Sequence, residues 1–313
     1  MYGGIDLGGT KIEACLFDAG LTEIARRRVP TPRDSYDGLL DALVAQYRWL
    51  QGEAGSDSLP LGVGIPGLMD AVTGLSLASN LPSRGRPLRQ ELSARLGFDV
   101  PVRNDCKCFA LSEARGGAGQ GYRTVFGLIL GTGCGGGVCR DGDLIDSMND
   151  LPGEVGHIGI AVNATPDLPV LPCKCGRRGC YETLVSGPGM SALARHLTGV
   201  DLPPDRIAAG AAAGDGDLAA VLAAWADIAC ALLRTIQATV DPDCIVLGGG
   251  LSRIPGIETL LLERAPFHLI AGVRRPAVLV AKFGDSSGVR GAAMLAAPEW
   301  KRAEPEIPHA VEG

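Results

Sequence analysis

One histidine and three cysteines, His157, Cys173, Cys175 and Cys180, fall within a short stretch of a 313-residue chain. Three soft thiolates and an imidazole are the donors of a closed tetrahedral zinc site, and a site with no open position holds structure and does not hydrolyse. Gly176 and Gly179 let the chain turn between the donors, and Lys174, Arg177 and Arg178 offset thiolate charge. Free thiols in a loop are the competing reading, and they leave those residues without a purpose. Glu154 precedes His157 by three residues and Glu182 follows Cys180 by two. A metal that fixes this loop, residues 153–182, therefore also fixes two carboxylates suited to accept from hydroxyl groups.

A second chemistry lies in the glycine turns. In Asp6-Leu7-Gly8-Gly9-Thr10-Lys11, residues without Cβ let backbone N–H groups approach phosphate oxygens, and the Asp6 carboxylate can hold hydrated Mg²⁺. Alone, a tight hairpin explains this stretch equally well, and it is not a P-loop. Gly131-Thr132-Gly133-Cys134-Gly135-Gly136 and Gly248-Gly249-Gly250 change the weighing. Two facing turns can clamp one triphosphate, and the third suits flat approach to a nucleoside. Asn104-Asp105 adds a carboxylate that can take the proton of a hydroxyl as its oxygen attacks phosphorus. A helix N-cap explains that dipeptide just as well.

The elements that must carry these groups read as α/β. Strands are expected through Ile5, over Ile12–Phe17, Glu23–Val29, Leu61–Ile65 and Val100–Val102, with a helix over Tyr36–Leu50 whose Leu39, Leu40, Leu43, Tyr47 and Leu50 recur at helical spacing. A short helix should run from Phe109 to Arg115. Gly116–Gly121, four glycines in six residues, reads as a hinge. Strand, glycine turn, strand then recurs, with Val125–Leu130 before the second turn and a strand after Gly137. Leu218–Thr239 reads as a long helix, Cys244–Leu247 and Val278–Val280 as strands, and Val289–Ala297 as a helix.

A chain of this length accommodates two domains and so a cleft. With 46% hydrophobic and 4% aromatic residues, the core is aliphatic. The net charge of −6 and the lack of long basic runs argue against nucleic acid as a partner. No basic start or apolar stretch marks Met1–Leu7, and no apolar run reaches the ~20 residues of a membrane span, so a cytoplasmic location with no membrane partner is expected. There, free cysteines such as Cys15, Cys230 and Cys244 serve as small core residues.

These residues resemble the ROK sugar kinases, within the actin-like ATPase superfamily, across nearly the whole chain. The markers are Asp6 to Lys11, Gly64-Ile65-Pro66-Gly67, Asn104-Asp105, Gly131-Thr132-Gly133, Gly153-Glu154-Val155-Gly156-His157 and Cys173 to Glu182. The resemblance implies two ribonuclease-H-like domains, residues 1–118 and 119–288, closing over ATP and a hexose, with a last helix at about 289–300 returning to the first, commonly as a homodimer. It implies Asp105 as the base for the 6-hydroxyl, with Gly67, Asn80, Asn104, Glu154, His157 and Glu182 holding the sugar. Asp6, Gly8, Gly9, Thr10, Lys11, Gly131, Thr132, Gly133, Cys134, Gly135, Gly136, Gly248 and Gly249 would hold the nucleotide. His157 then serves twice, one ring nitrogen on zinc and the other on sugar.

Near Asn80-Leu81-Pro82-Ser83 the tryptophan of similar glucose- and fructose-preferring members is missing, which leaves room for a 2-acetamido group and makes N-acetyl-D-glucosamine the expected acceptor. Gly284 to Arg290 resembles fructokinases equally, so fructose, glucose and mannose are the alternatives. One departure stands beside the base: Cys106-Lys107 replaces the family's alanine and asparagine, and the lysine either depresses the Asp105 pKa or points away into solvent. A sugar-sensing repressor would need a helix-turn-helix before the first turn and basic surface. A sugar-independent actin-like ATPase has no use for Glu154 and Glu182.

Overall fold

The computed structural model describes residues 1–70, 72–78, 81–161 and 167–297. β1 (Tyr2–Leu7), β2 (Lys11–Phe17) and β3 (Glu23–Pro30) form an antiparallel meander, and β4 (Leu61–Ile65) and β5 (Val102–Asn104) extend it in parallel from β1. The strand order is β3-β2-β1-β4-β5. β6 (Thr124–Leu130), β7 (Cys134–Arg140) and β8 (Asp143–Leu144) repeat the meander, and β9 (Cys244–Gly248) and β10 (Ala277–Val280) repeat the parallel side, in the order β10-β9-β6-β7-β8. The two halves therefore share one topology, as the repeated strand, turn, strand pattern predicts.

α1 (Tyr36–Ala54) begins where the Ser35 hydroxyl accepts from Gly38 N–H and ends where Gly55 turns left-handed at φ 58°. Its expected stripe of leucines packs on the first sheet with α2 (Leu88–Leu96). α3 (Asp105–Ala114) starts earlier than sequence suggests, because Asn104 caps it by accepting from Cys106 N–H. β5 is correspondingly displaced toward Asn104, and β7 begins at Cys134 rather than after Gly137.

The second half carries α4 (Glu182–Val185), α5 (Gly187–Thr198), α6 (Pro204–Ala212), α7 (Gly216–Val240) and α8 (Ile257–His268). α7 corrects one expectation, being long and apolar enough by composition to cross a bilayer. Its Val221, Trp225, Ile228, Leu232 and Ile236 are instead buried in the core of the second half, where Trp225 donates to the Val185 carbonyl.

α9 (Ser287–Leu295) packs across β1 and β4 of the first sheet. Contact is so close that a Cβ on Gly62 would lie 1.9 Å from the Ala292 carbonyl oxygen. It ends at Leu295, short of the expected 300, and residues 298–300 lie outside those described. Buried Glu113, at the far end of α3, accepts from Ala118 N–H on one inter-sheet crossing, and from Lys282 N–H, Phe283 N–H and the Ser287 hydroxyl on the return. One carboxylate thus ties both connections to the helix that begins with Asp105.

Candidate active site

The first hairpin turn closes on itself: Gly8 N–H donates to the Lys11 carbonyl, the Thr31 hydroxyl to the Gly8 carbonyl, and Thr31 N–H to the Thr10 carbonyl. The amides of Gly9 and Thr10 sit at its tip, and the Lys11 side chain is half-exposed near Glu13. Asp6 comes from the same strand but points beneath the turn, where burial first, then the charges of Asp105 and Glu13, push its carboxyl up to about 7. Ideal Cβ positions on Gly64 and Gly288 would lie 3.6 and 3.5 Å from its oxygens.

Asp105 is the first residue of α3, and its carboxylate accepts from Cys106 N–H at 2.8 Å. Burial raises its pKa above the ordinary carboxylate range, and that hydrogen bond opposes the rise. A carboxylate whose pKa is moved toward neutrality is a better proton acceptor. Asn104 spends its amide on structure, donating to the Gly67 carbonyl at 3.0 Å while capping α3. Asn104 is thus the cap, and Asp105 follows it as the first helical residue.

At the second hairpin, Gly131 N–H donates to Gly133 and the Gly131 carbonyl accepts from Gly187 N–H at 2.7 Å. Cys134 N–H is occupied by Glu182 Oε2 at 3.0 Å, so of this turn Thr132 and Gly133 carry the amides at the tip. Gly135 and Gly136 are not turn residues; their backbones belong to the β6–β7 ladder, opposite Ile129 and Leu128. Gly135 and Gly137 let α3 approach β7, and a Cβ on Gly136 would strike Gly127 and the Phe126 ring of β6. Gly248 and Gly249 likewise admit the Phe109 ring and the Leu130–Gly131 backbone, and it is Gly250 that opens onto a cavity.

That cavity, about 1320 Å³, joins Gly131 and Thr132 to Pro188, Pro204, Ala208, Leu222, Ile254 and Leu260. These apolar residues were not anticipated. Gly187-Pro188-Gly189 and Pro203-Pro204 were the available signals, each opening a helix at the cavity wall.

Across the cleft, a cavity of about 1020 Å³ brings together Gly67, Leu77, Glu154 and His157. Val155–His157 is one turn of 3₁₀ helix led by Glu154. His157 Nδ1 lies 3.5 Å from Cys173 Sγ, and Cys175 Sγ lies 3.6 Å from Cys180 Sγ. All four donor atoms are within 4.8 Å of one another, near the ~3.8 Å edge of a tetrahedron built on ~2.3 Å zinc–sulfur bonds. His157 Nε2 points the other way, 4.0 Å from Glu154 Oε2, so the ring does face both the thiols and the cleft. Burial raises the Glu154 pKa, with His157 and Lys107 opposing.

Lys107 takes neither expected course. It is buried, its ammonium donates to the Asp150 carbonyl, and it pairs with Asp150 Oδ1 at 2.8 Å. Glu182 reaches the second hairpin, where its carboxylate accepts from Cys134 N–H, a link its spacing from Cys180 does not suggest. Asn80 lies outside the described residues.

Comparison with known proteins places the chain. It is 44% identical over 303 residues to the N-acetyl-D-glucosamine kinase of Escherichia coli O157:H7, covering 94% of this chain and 99% of that protein. The ROK hexokinase of Thermus thermophilus superposes with a TM-score of 0.84 at 30% identity, over 95% of this chain and 97% of its own. A ROK family glucokinase from Streptomyces griseus, in complex with glucose and AMPPNP, gives 0.77 at 30%, over 95% and 99%. Residues 2–299 match the ROK family as a whole, and the chain belongs to that family.

Proposed function

We propose that this protein transfers the γ-phosphoryl group of ATP to the 6-hydroxyl of N-acetyl-D-glucosamine, giving the 6-phosphate and ADP. The observation that carries the reading is the position of Asp105. It is a half-buried carboxylate of raised pKa at the head of α3, beside Asp6 and within electrostatic reach of Glu154.

Asp105 takes the hydroxyl proton as O6 attacks the γ-phosphorus in line, and the bond to the β-phosphate oxygen breaks. Gly9, Thr10, Thr132 and Gly133 offer amides to the phosphates. The apolar cavity by Gly250 suits the adenine ring. Glu154, His157 and Glu182 bind sugar hydroxyls and fix O6 against Asp105, and orientation supplies most of what phosphoryl transfer needs. Mg²⁺, held through Asp6, would neutralise charge on the phosphates. Zinc on His157, Cys173, Cys175 and Cys180 would be structural, holding His157 Nε2 toward the sugar.

The proposal includes two units, 1–118 with α9 and 119–288, closing about Gly116–Gly121. It also includes a homodimer, which light scattering would reveal, and a cytoplasmic location, where ATP and reduced thiols coexist.

Incubating the protein with Mg-ATP and N-acetylglucosamine, N-acetylmannosamine, glucose, fructose or mannose tests the reading. N-acetylglucosamine should give the highest kcat/KM for ADP release. A higher value for glucose or fructose would reassign the acceptor. ADP release independent of any sugar would overturn the kinase reading.

A further inference from the structure

Lys107 is a buried cation two residues from Asp105 for which the reaction and the metal have no use. An ammonium out of water is costly unless paired, and this one has two acceptors on one residue, the carbonyl and carboxylate of Asp150. Asp150 is itself held in the left-handed region at φ 56°, a conformation that few residues other than glycine adopt without a local bond.

The segment that Asp150 belongs to divides two cavities. Ile145, Leu151 and Pro152 line the cleft that holds Glu154 and His157. Ile145, Ser147 and Asp150 line a separate groove of about 640 Å³, shared with Arg103 and Leu111. Beyond Pro152 the chain passes Gly153, seated so closely on β7 that a Cβ there would lie 2.1 Å from the Gly136 carbonyl oxygen. It then reaches Glu154. Gly137 on the same strand meets Lys107 itself, its ideal Cβ lying 2.8 Å from the lysine Cα. The partition is therefore fastened to β7 at one end and to α3 at Lys107, and α3 begins with Asp105.

We infer that Lys107 and Asp150 form a clamp that sets the distance between Glu154 and Asp105, making Lys107 a positioning residue for the sugar acceptor. The inference rests on the reading above that Glu154 binds sugar. The clamp acts on the acceptor side of the cleft, whereas the phosphate turns lie on other segments. Its loss should loosen sugar binding and leave ATP binding alone. A lysine serving stability alone would lower the melting temperature without separating the two KM values.

The test is steady-state kinetics on the full chain with Lys107→Met, Asp150→Asn, the double variant and Glu154→Gln. Lys107→Met should raise the KM for N-acetylglucosamine about tenfold and Asp150→Asn by less, with the KM for ATP within about twofold of the parent. The double variant should be no worse than Lys107→Met, because the two residues act as one unit. Multiplying effects in the double, or an unchanged sugar KM in folded Lys107→Met, would overturn the clamp. Should Lys107→Met fail to fold, Asp150→Asn decides alone, since its main-chain acceptor is retained: an unchanged sugar KM there refutes it. Glu154→Gln separates the two claims. If it raises the sugar KM and the clamp variants do not, only the clamp fails; if it has no effect, the role of Glu154 fails and the clamp with it.

Discussion

The two halves share a strand order and yet treat the same turn differently. The penultimate residue of β1 is Asp6, a half-buried carboxylate, and that of β6 is Ile129. Gly8 to Lys11 closes through its own backbone and one threonine, whereas Gly131 to Cys134 is braced by Gly187 and by Glu182, which lies two residues beyond Cys180 of the His–Cys cluster. One copy thus supplies charge next to Asp105. The other ties its turn mechanically to the segment that follows the His–Cys cluster. Duplication provided the frame, and the divergence lies in what each turn is tied to.

The strongest challenge to this division is Asp105→Asn, at the junction of the two halves. The amide fills the same space and cannot take a proton, so kcat should fall by about 10²–10⁴-fold with an unchanged melting temperature. Near-normal ADP release would remove Asp105 from the chemistry.

Next in size is Cys175→Ser, which touches only the second half. Bound zinc should fall from one ion per chain to near none by metal analysis, and the sugar KM should rise about tenfold or more, with a smaller change for ATP. Unchanged metal content would refute the ligand set.

Smaller effects should separate the two braces. Glu182→Gln weakens the bond to Cys134 N–H and the sugar contact together, so both KM values should rise. Thr31→Val removes one hydrogen bond to the first turn, about 1 kcal/mol, and should raise the ATP KM by no more than about fivefold while sparing the sugar. If Glu182→Gln affected only one substrate, the mechanical link between turn and sugar site would be lost.

Much of this was legible because it is local. Apolar runs ended by glycine marked both hairpins, and a histidine with three cysteines at short spacing marked the cluster of four donors. What was not legible depends on partners distant in sequence. Cys106-Lys107 gave no hint of Asp150, 43 residues away, and nothing near Glu182 indicated Cys134 N–H. The glycines of Gly135–Gly136 read as a phosphate loop because glycine serves close packing and anion binding alike, and only the position of α3 distinguishes them. Helices α2, α4, α5, α6 and α8 carry weaker signals of their own. Alanine-rich α6 buries only Ile207, and Pro266 interrupts α8.

The smallest predicted effect isolates the Asp6 and Ile129 difference. The Asp6 carboxyl is pushed up to about 7 from an ordinary value of 3.8. Between those limits the folded protein, free of metal and nucleotide, holds a proton that the unfolded chain has released. Stability from this group is therefore greatest below the unfolded pKa and declines as pH rises toward about 7. Asp6→Asn removes the titration, so the melting temperature of the ligand-free variant should vary less between pH 5 and pH 8 than that of the parent, by a few degrees, about what 1 kcal/mol shifts a domain of this size. Thermal melts at the two pH values decide it. The same pH dependence in both proteins would mean that Asp6 is ionised in the free enzyme, and the charge asymmetry between the hairpins would then have to be sought elsewhere. In the working enzyme the direction reverses, since Asp105 must be ionised to accept a proton: kcat/KM should fall as pH drops, with its midpoint above the ordinary carboxylate range.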